Sequence, residues 1–436
     1  MRRWLGGMLS LTACATLISV EAARPETHGS GAADRARIVV GFQPGVTPEQ
    51  RDGVLLRDGA LLRRVIGALR ATSATVPSAD RDRILARLRE EPSVAYAEID
   101  RPVGLIRPRV GARLPLARAA RTPDDEGFGY QYALRDDHDH DVDATEAWEN
   151  RTKCAKVAVL DTGIDNDHKD LKANLWRNDG EVPGNGRDDD GNGYVDDDRG
   201  VDLVDGRGSG IDGYGHGTHT AGIIGAIGNN DRGVSGLCWK SPIISVRFMD
   251  DDGRGFSSGS AEGIIYAVDH GAHVINASYG TPERSEVERD AIAYAAAHDT
   301  LIVAAAGNDD ENVDKHPHYP ASYPDANVIA VAASNENDKL ASFSNWGKKS
   351  VDLAAPGDAI ASTSNDGKYK YMSGTSMAAP LVSAAAAMLR KQGDGLPVAT
   401  IRKLLLKQAD DKKAFKGKVA SGGRLNVRRA LDAVGR

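Results

Sequence analysis

Short apolar runs recur through the back two thirds of the chain, at residues 157–160, 243–248, 273–277, 301–306 and 328–332. They lack the polar alternation of a half-solvated strand, so each predicts a strand buried on both faces. Ala-rich helical stretches fall between and after them, at 260–270, 290–298 and 377–389. Strands alternating with helices predict an α/β fold, a mostly parallel sheet with helices on both faces. The ligand site of such a sheet lies beyond the carboxyl ends of its strands. No internal repeat is present, and the chain stops soon after Gly423-Arg424-Leu425-Asn426 and a last helix, so no C-terminal binding module is expected.

The front of the chain is patterned differently. Strand-like runs at 37–42, 71–76 and 93–99, with a shorter one near 61–66, flank helical stretches at 48–57 and 79–90. The second helix carries Ile84, Leu85 and Leu88 on one face. The order βαββαβ predicts a small α+β ferredoxin-like unit over residues 37–103. So small a core is marginal and needs a partner surface. Residues 107–123 are Arg, Ala and Pro without periodicity, and read as an exposed linker open to proteolysis. Ahead of all this, Arg2 and Arg3 precede an apolar stretch over 4–20, then Val20-Glu21-Ala22, the layout of a secretory signal over 1–22. Gly6 and Gly7 break that stretch, and no other apolar run approaches the length of a membrane span. Leu11-Thr12-Ala13-Cys14 leaves a second option, a lipid anchor through Cys14.

Charge divides the chain along the same line. Residues 37–121 hold sixteen Arg, no Lys and nine acids, a balance of +7, while residues 122–436 carry −15. Two such pieces attract one another, and the acidic piece is a poor partner for nucleic acid. Beyond the leader the cysteines are Cys154 and Cys238, each just before an apolar strand. On neighbouring parallel strands they share a sheet edge, where an exported protein can join them; two ordinary buried thiols is the other reading.

Four segments then put a reactive side chain at a sharp change of backbone. Val157-Ala158-Val159-Leu160-Asp161-Thr162-Gly163 ends a buried strand on a carboxylate. Gly215-His216-Gly217-Thr218-His219 opens an apolar helix on an imidazole, with His219 one turn further on as a structural residue. A helical zinc pair is the rival reading of the two histidines, but its spacing is four with a Glu between. Ser373-Gly374-Thr375-Ser376-Met377 starts another apolar helix, where free N–H groups and the dipole favour a developing oxyanion. Ala304-Ala305-Ala306-Gly307-Asn308 ends a strand on an amide that can donate to the same oxyanion. Ser376 as nucleophile, His216 as its base and Asp161 as the group orienting the imidazole make a complete set for acyl transfer. An esterase of the α/β-hydrolase kind has the order Ser, Asp, His and a Gly-x-Ser-x-Gly turn; here the order is Asp, His, Ser.

These four blocks, in this order over 130–434, resemble the subtilase family of subtilisin-like serine proteases. The resemblance implies a serine endopeptidase working through an acyl-enzyme on protein or peptide substrates. It implies that residues 37–103 are the inhibitory propeptide of a self-processed zymogen, with residues 104–127 the linker that carries the maturation site. Val103-Gly104-Leu105-Ile106 is then expected in the substrate cleft beside Ser278–Gly280, with cleavage near Ile106 the first choice and the Arg-rich stretch to Arg121 the second. It also places Ser278, Tyr279 and Gly280, with Ala306 and Gly307, where family members pair with substrate, and His318 where many carry Gly. A catalytically silent subtilase fold used for binding is the alternative, disfavoured by the intact Asp161, His216 and Ser376.

The Asp-rich loop 185–198 is a separate signal. Asp188, Asp190, Asn192 and Gly193 repeat the first half of the EF-hand pattern, with a Tyr194 carbonyl and Asp196 as further oxygens and Arg199 in place of the final acid. Crowded acids repel unless a cation sits among them, which predicts structural Ca2+; a solvated acidic hairpin is the other reading. A second calcium site of the family type is expected near Asp170 and Asn229-Asn230-Asp231.

Overall fold

The computed structural model describes residues 34–113, 123–149, 151–206 and 208–434. The leader, Cys14 and the stretch from 114 to Arg121 lie outside them.

Nine strands form the central sheet, in the order Asp410–Asp411, Gly423–Arg424, Leu353–Pro356, Val328–Ser334, Leu301–Ala305, Val274–Ala277, Val157–Asp161, Ile243–Arg247, Gly200–Asp202. All neighbours run parallel except the first pair. Alternate residues of one strand enter two cores. Val157, Val159, Leu301 and Val303 face the helix Thr375–Gln392 and its neighbour His216–Gly225. Ala158, Leu160, Ile302 and Ala304 face Ser257–Asp269 and Glu286–Ala297. That two-sided burial is why these strands read as unbroken apolar runs. The helices begin earlier than their apolar patterns suggest, at Ser257, Glu286 and Thr375, because polar first turns carry no periodic signal. Among the described residues, no helix is long and apolar enough to cross a membrane.

Residues 34–99 form a four-stranded antiparallel sheet, ordered Leu61–Ile66, Ala71–Pro77, Arg35–Phe42, Val94–Ile99, the ferredoxin-like arrangement. One face covers a core of its own with helices Pro48–Arg57 and Arg81–Glu90. Thr47 and Gln50 start the first helix with a reciprocal capping box. Val39, Ile66 and Leu69 instead join the core of the helices Ser257–Asp269 and Glu286–Ala297. Acids from the small domain cap both helices. Glu98 accepts from the backbone N–H groups of Glu286 and Val287 and from Ser285 Oγ. Asp100 accepts from Ser258 N and the Ser257 and Ser258 hydroxyls. A carboxylate at a helix N-terminus meets orphan donors and the positive dipole end. Around them, Arg64 pairs with Glu262 at 2.7 Å and Arg37 lies over the Phe256 ring.

Residues 103–106 lie beside Ser278–Gly280 as expected, while the reading of 107–123 as exposed linker needs correction at its start. Pro102–Leu105 is a strand between Arg254–Phe256 and Tyr279–Gly280, and Arg109–Arg113 pairs with Lys368–Ser373. Arg109–Arg113 pairs through the main chain, so Arg and Gly suffice there and no apolar pattern announces it. Cys154 and Cys238 form a disulfide, with Cα atoms 5.8 Å apart.

Candidate active site

Asp161 ends the Val157–Asp161 strand, at the carboxyl edge of the sheet. Its Oδ1 and Oδ2 lie 2.8 and 2.9 Å from His216 Nδ1, and Thr162 N donates to Oδ1. Both residues are fully buried, and His216 Nε2 has no hydrogen-bond partner among the described residues. The turn that delivers the imidazole is built on Asp212, which the sequence reading missed. Its buried carboxylate accepts from Gly215 N, Tyr214 N, Thr218 N and the Thr162 and Thr218 hydroxyls. His219, one turn on, is buried with Nε2 3.1 Å from the Lys370 carbonyl, and burial pushes its pKa down to about 3. It stays a neutral structural group.

Ser376 sits in the first turn of Thr375–Gln392, so its own N–H has no partner within the helix. Pro380, four residues on, cannot donate to the Ser376 carbonyl. The Ser278 hydroxyl donates there instead, at 3.1 Å. Asn276 Nδ2 steadies Ser278 Oγ at 2.9 Å, and Ser383 Oγ donates to Asn276 Oδ1. Asn308 Oδ1 accepts from Thr375 N and Oγ1, which leaves Nδ2 pointing into the cleft. The Ala306 and Gly307 carbonyls are held by Asn345, and Gly307 N donates to Thr375 Oγ1. Gly307 has φ +111°, and a Cβ there would strike Asn345 Nδ2 at 2.1 Å, so only glycine fits.

The cleft holds the chain's own segment. Leu105 pairs with Tyr279 and Gly104 with Gly280, while Leu105 N donates to the Gly253 carbonyl on the other edge. That second edge, Gly253–Phe256, was not foreseen; the Asp-Asp-Gly turn at 251–253 was its sequence signal. The Ile106 carbonyl oxygen lies 3.2 Å from Ser376 Oγ, and Asn308 Nδ2 donates to the Arg107 carbonyl at 3.2 Å. His318 lies against Gly280, where a Cβ would meet its Cε1 at 2.0 Å, and burial lowers its pKa.

The profile of the subtilase family matches residues 152–424. The chain belongs to the subtilase family. Among this subtilase's relatives, the thermophilic serine proteinase of Bacillus sp. (strain AK1) is 34% identical over 408 residues, 93% of this chain and 89% of that one. Thermitase of Thermoactinomyces vulgaris is 37% identical over 292 residues, 67% of this chain and 94% of its own. Among solved structures, fervidolysin from Fervidobacterium pennivorans, a keratinolytic enzyme related to subtilisin, superposes with a TM-score of 0.69 at 26% identity. That match covers 93% of this chain and 62% of fervidolysin's. The subtilase is a serine-type endopeptidase.

The oxygen donors expected to bind calcium divide. Asp188 and Asp190 come together with Glu181, which the sequence reading did not include. Asn192 Nδ2 donates to Asp190 and Asp197, and the Asp196 carboxylate accepts from Asn185 N and Gly186 N. Elsewhere, Asp170 accepts from Asn230 Nδ2 and Val234 N, with its pKa raised to about 7 by burial. Asn229 N donates to Asp125.

Replacing Asn308 with Ala removes one of two donors aimed at the cleft, while Ser278 still holds the Ser376 carbonyl. It is expected to lower kcat by about 10²–10³, a magnitude carried over from subtilisin itself, with KM little changed. Steady-state kinetics on a peptide anilide reads both constants.

Proposed function

We propose that Asp161, His216 and Ser376 are the catalytic triad, with Asn308 the oxyanion donor, and that the chain is an exported zymogen that processes itself. Ser376 passes its proton to His216 Nε2 as Oγ attacks the scissile carbonyl. Asp161 holds the Nδ1–H tautomer and steadies the imidazolium, which then protonates the leaving amine. The tetrahedral oxyanion takes hydrogen bonds from Asn308 Nδ2 and Ser376 N–H, fixed before the reaction begins. Substrate adds as a strand between Gly253–Phe256 and Ser278–Gly280, so main chain is read more than side chain.

The observation that carries the zymogen reading is the segment 102–113, threaded through the cleft on both sides of Ser376. The bond nearest the nucleophile is Ile106–Arg107, whose carbonyl oxygen lies 3.2 Å from Ser376 Oγ. Residues 34–99 are then the propeptide, gripping two helices of the protease through Glu98 and Asp100. The disulfide supports an extracytoplasmic location. Structural calcium in the acidic loops fits the same reading.

N-terminal sequencing of the mature enzyme tests this directly. A new terminus at Arg107 is expected. A terminus between Pro108 and Thr122 would overturn the assignment of the bond, and an unprocessed active chain would overturn the zymogen. Residues 34–106 added in trans are expected to inhibit casein hydrolysis by the mature enzyme, less so at high salt. Opposite charge speeds their encounter, and salt screens it beyond about 8 Å. Absence of inhibition at micromolar propeptide in low salt would give the front domain another role.

A further inference from the structure

In the zymogen proposed above, a cut at Ile106–Arg107 divides the segment in the cleft unequally. Residues 102–106 leave with the front domain, whereas residues 107–113 stay covalently part of the protease. That arm fills the half of the cleft that takes a substrate's residues after the scissile bond. Asn308 Nδ2 donates to the Arg107 carbonyl at 3.2 Å, and a Cβ on Gly374 would lie 3.7 Å from Pro108 Cα. Arg109 sets its guanidinium over the Phe343 ring, 5.3 Å from the centroid. Arg109, Val110 and Arg113 then pair antiparallel with Ser373, Met372 and Lys370. The opposite edge of Lys368–Ser373 is taken by Ile360–Ser364, so the arm completes that sheet and covers an edge whose backbone groups would otherwise face water.

Nothing in the cut loosens this arm, because the chain beyond it is already seated. Asp125 is 1% exposed and accepts from Asn229 N and Asn230 N, while Asp124 accepts from Asp231 N. Gly127 N donates to the Gly233 carbonyl, and Phe128 packs in the core against Trp148. Only residues 114–123 separate Arg113 from Asp124. A strand on so short a tether meets its edge at an effective concentration of roughly millimolar, with no second molecule to bring in.

We propose that residues 107–113 remain on the Lys368–Ser373 edge after the propeptide departs, and hold the mature enzyme partly latent from the far half of the cleft. The docking surface is that edge together with Phe343 and Asn308, and its resident is the enzyme's own new N-terminus. A substrate that continues beyond the scissile bond must displace the arm, and the Arg107 carbonyl competes for Asn308, the donor aimed at the oxyanion. This rests on the zymogen reading and deepens it: the propeptide blocks one half of the cleft, the arm the other.

An engineered disulfide tests it, since a Cβ on Gly111 would lie 3.0 Å from Tyr371 Cβ, a small shift from the span a disulfide takes. Gly111→Cys with Tyr371→Cys is expected to lock the arm in the mature enzyme and to slow casein hydrolysis at least about tenfold until mild reductant opens it. Tyr371→Cys alone, under the same reductant, controls for that side chain and for Cys154–Cys238. Val110 is exposed, so Val110→Pro disturbs the arm's strand without touching the core, and it is expected to raise kcat/KM several-fold. A lock that forms and leaves activity unchanged overturns the proposal. So does a lock found in the Ser376→Ala precursor but absent from the mature enzyme, for the arm has then left the edge. Should the double variant fail to fold, an unchanged kcat/KM in Val110→Pro overturns it alone. N-terminal sequencing keeps the two failures apart: a terminus other than Arg107 removes the cut on which the arm depends, whatever the lock shows.

Discussion

Ser376→Ala leaves the chain at precursor size and removes peptide hydrolysis. The expected loss in kcat is about 10⁶, a magnitude carried over from subtilisin. The substitution deletes a single oxygen from a fully buried position, beside two carbonyls at 3.2 Å. Nothing in the helix Thr375–Gln392 depends on that hydroxyl, because its first turn is fixed by Asn308 and Ser278. The variant is therefore expected to fold and to keep residues 102–113 in the cleft. Expression in a protease-free host followed by gel mobility reads processing, and a fluorophosphonate label reads the nucleophile. A variant that accumulates at mature size would show that another protease makes the cut.

Asp161→Asn is expected to lower kcat by about 10⁴ with KM nearly unchanged. The asparagine has the same shape, so packing at the end of the central strand is kept. What changes is the pairing with His216 Nδ1, which both carboxylate oxygens approach within 2.9 Å. An amide N–H facing Nδ1 selects the other tautomer and puts the proton on Nε2, the atom that must accept it from Ser376. The loss is expected to shrink at high pH, where hydroxide replaces the missing base. A pH–rate profile checks this; a loss in KM alone would make Asp161 a packing residue.

The strands of the central sheet were legible because they are buried on both faces, as at Val157–Asp161 and Leu301–Ala305. Asp161, His216, Asn308 and Ser376 were legible because each sits where apolar periodicity starts or stops. Residues 109–113 were not, since their pairing uses backbone groups that every residue carries. Glu181 and Asp212 escaped for another reason: a lone acid in a polar stretch has no pattern, and only the folded chain shows what surrounds it. The cysteine pairing stayed open in the sequence because it depends on a Cα separation that spacing along the chain does not fix.

That cysteine pairing has a thermodynamic side. The bond closes a loop of 84 residues that contains Asp161 and His216 but neither Asn308 nor Ser376. In the chain-entropy picture, closing a loop of that length removes disorder from the unfolded chain equivalent to about 4–5 kcal/mol. Whole domains are commonly stable by only about 5–15 kcal/mol. A reducing environment would thus erode the half of the site that holds the base, and the redox state of its surroundings becomes a condition on where this enzyme stays active.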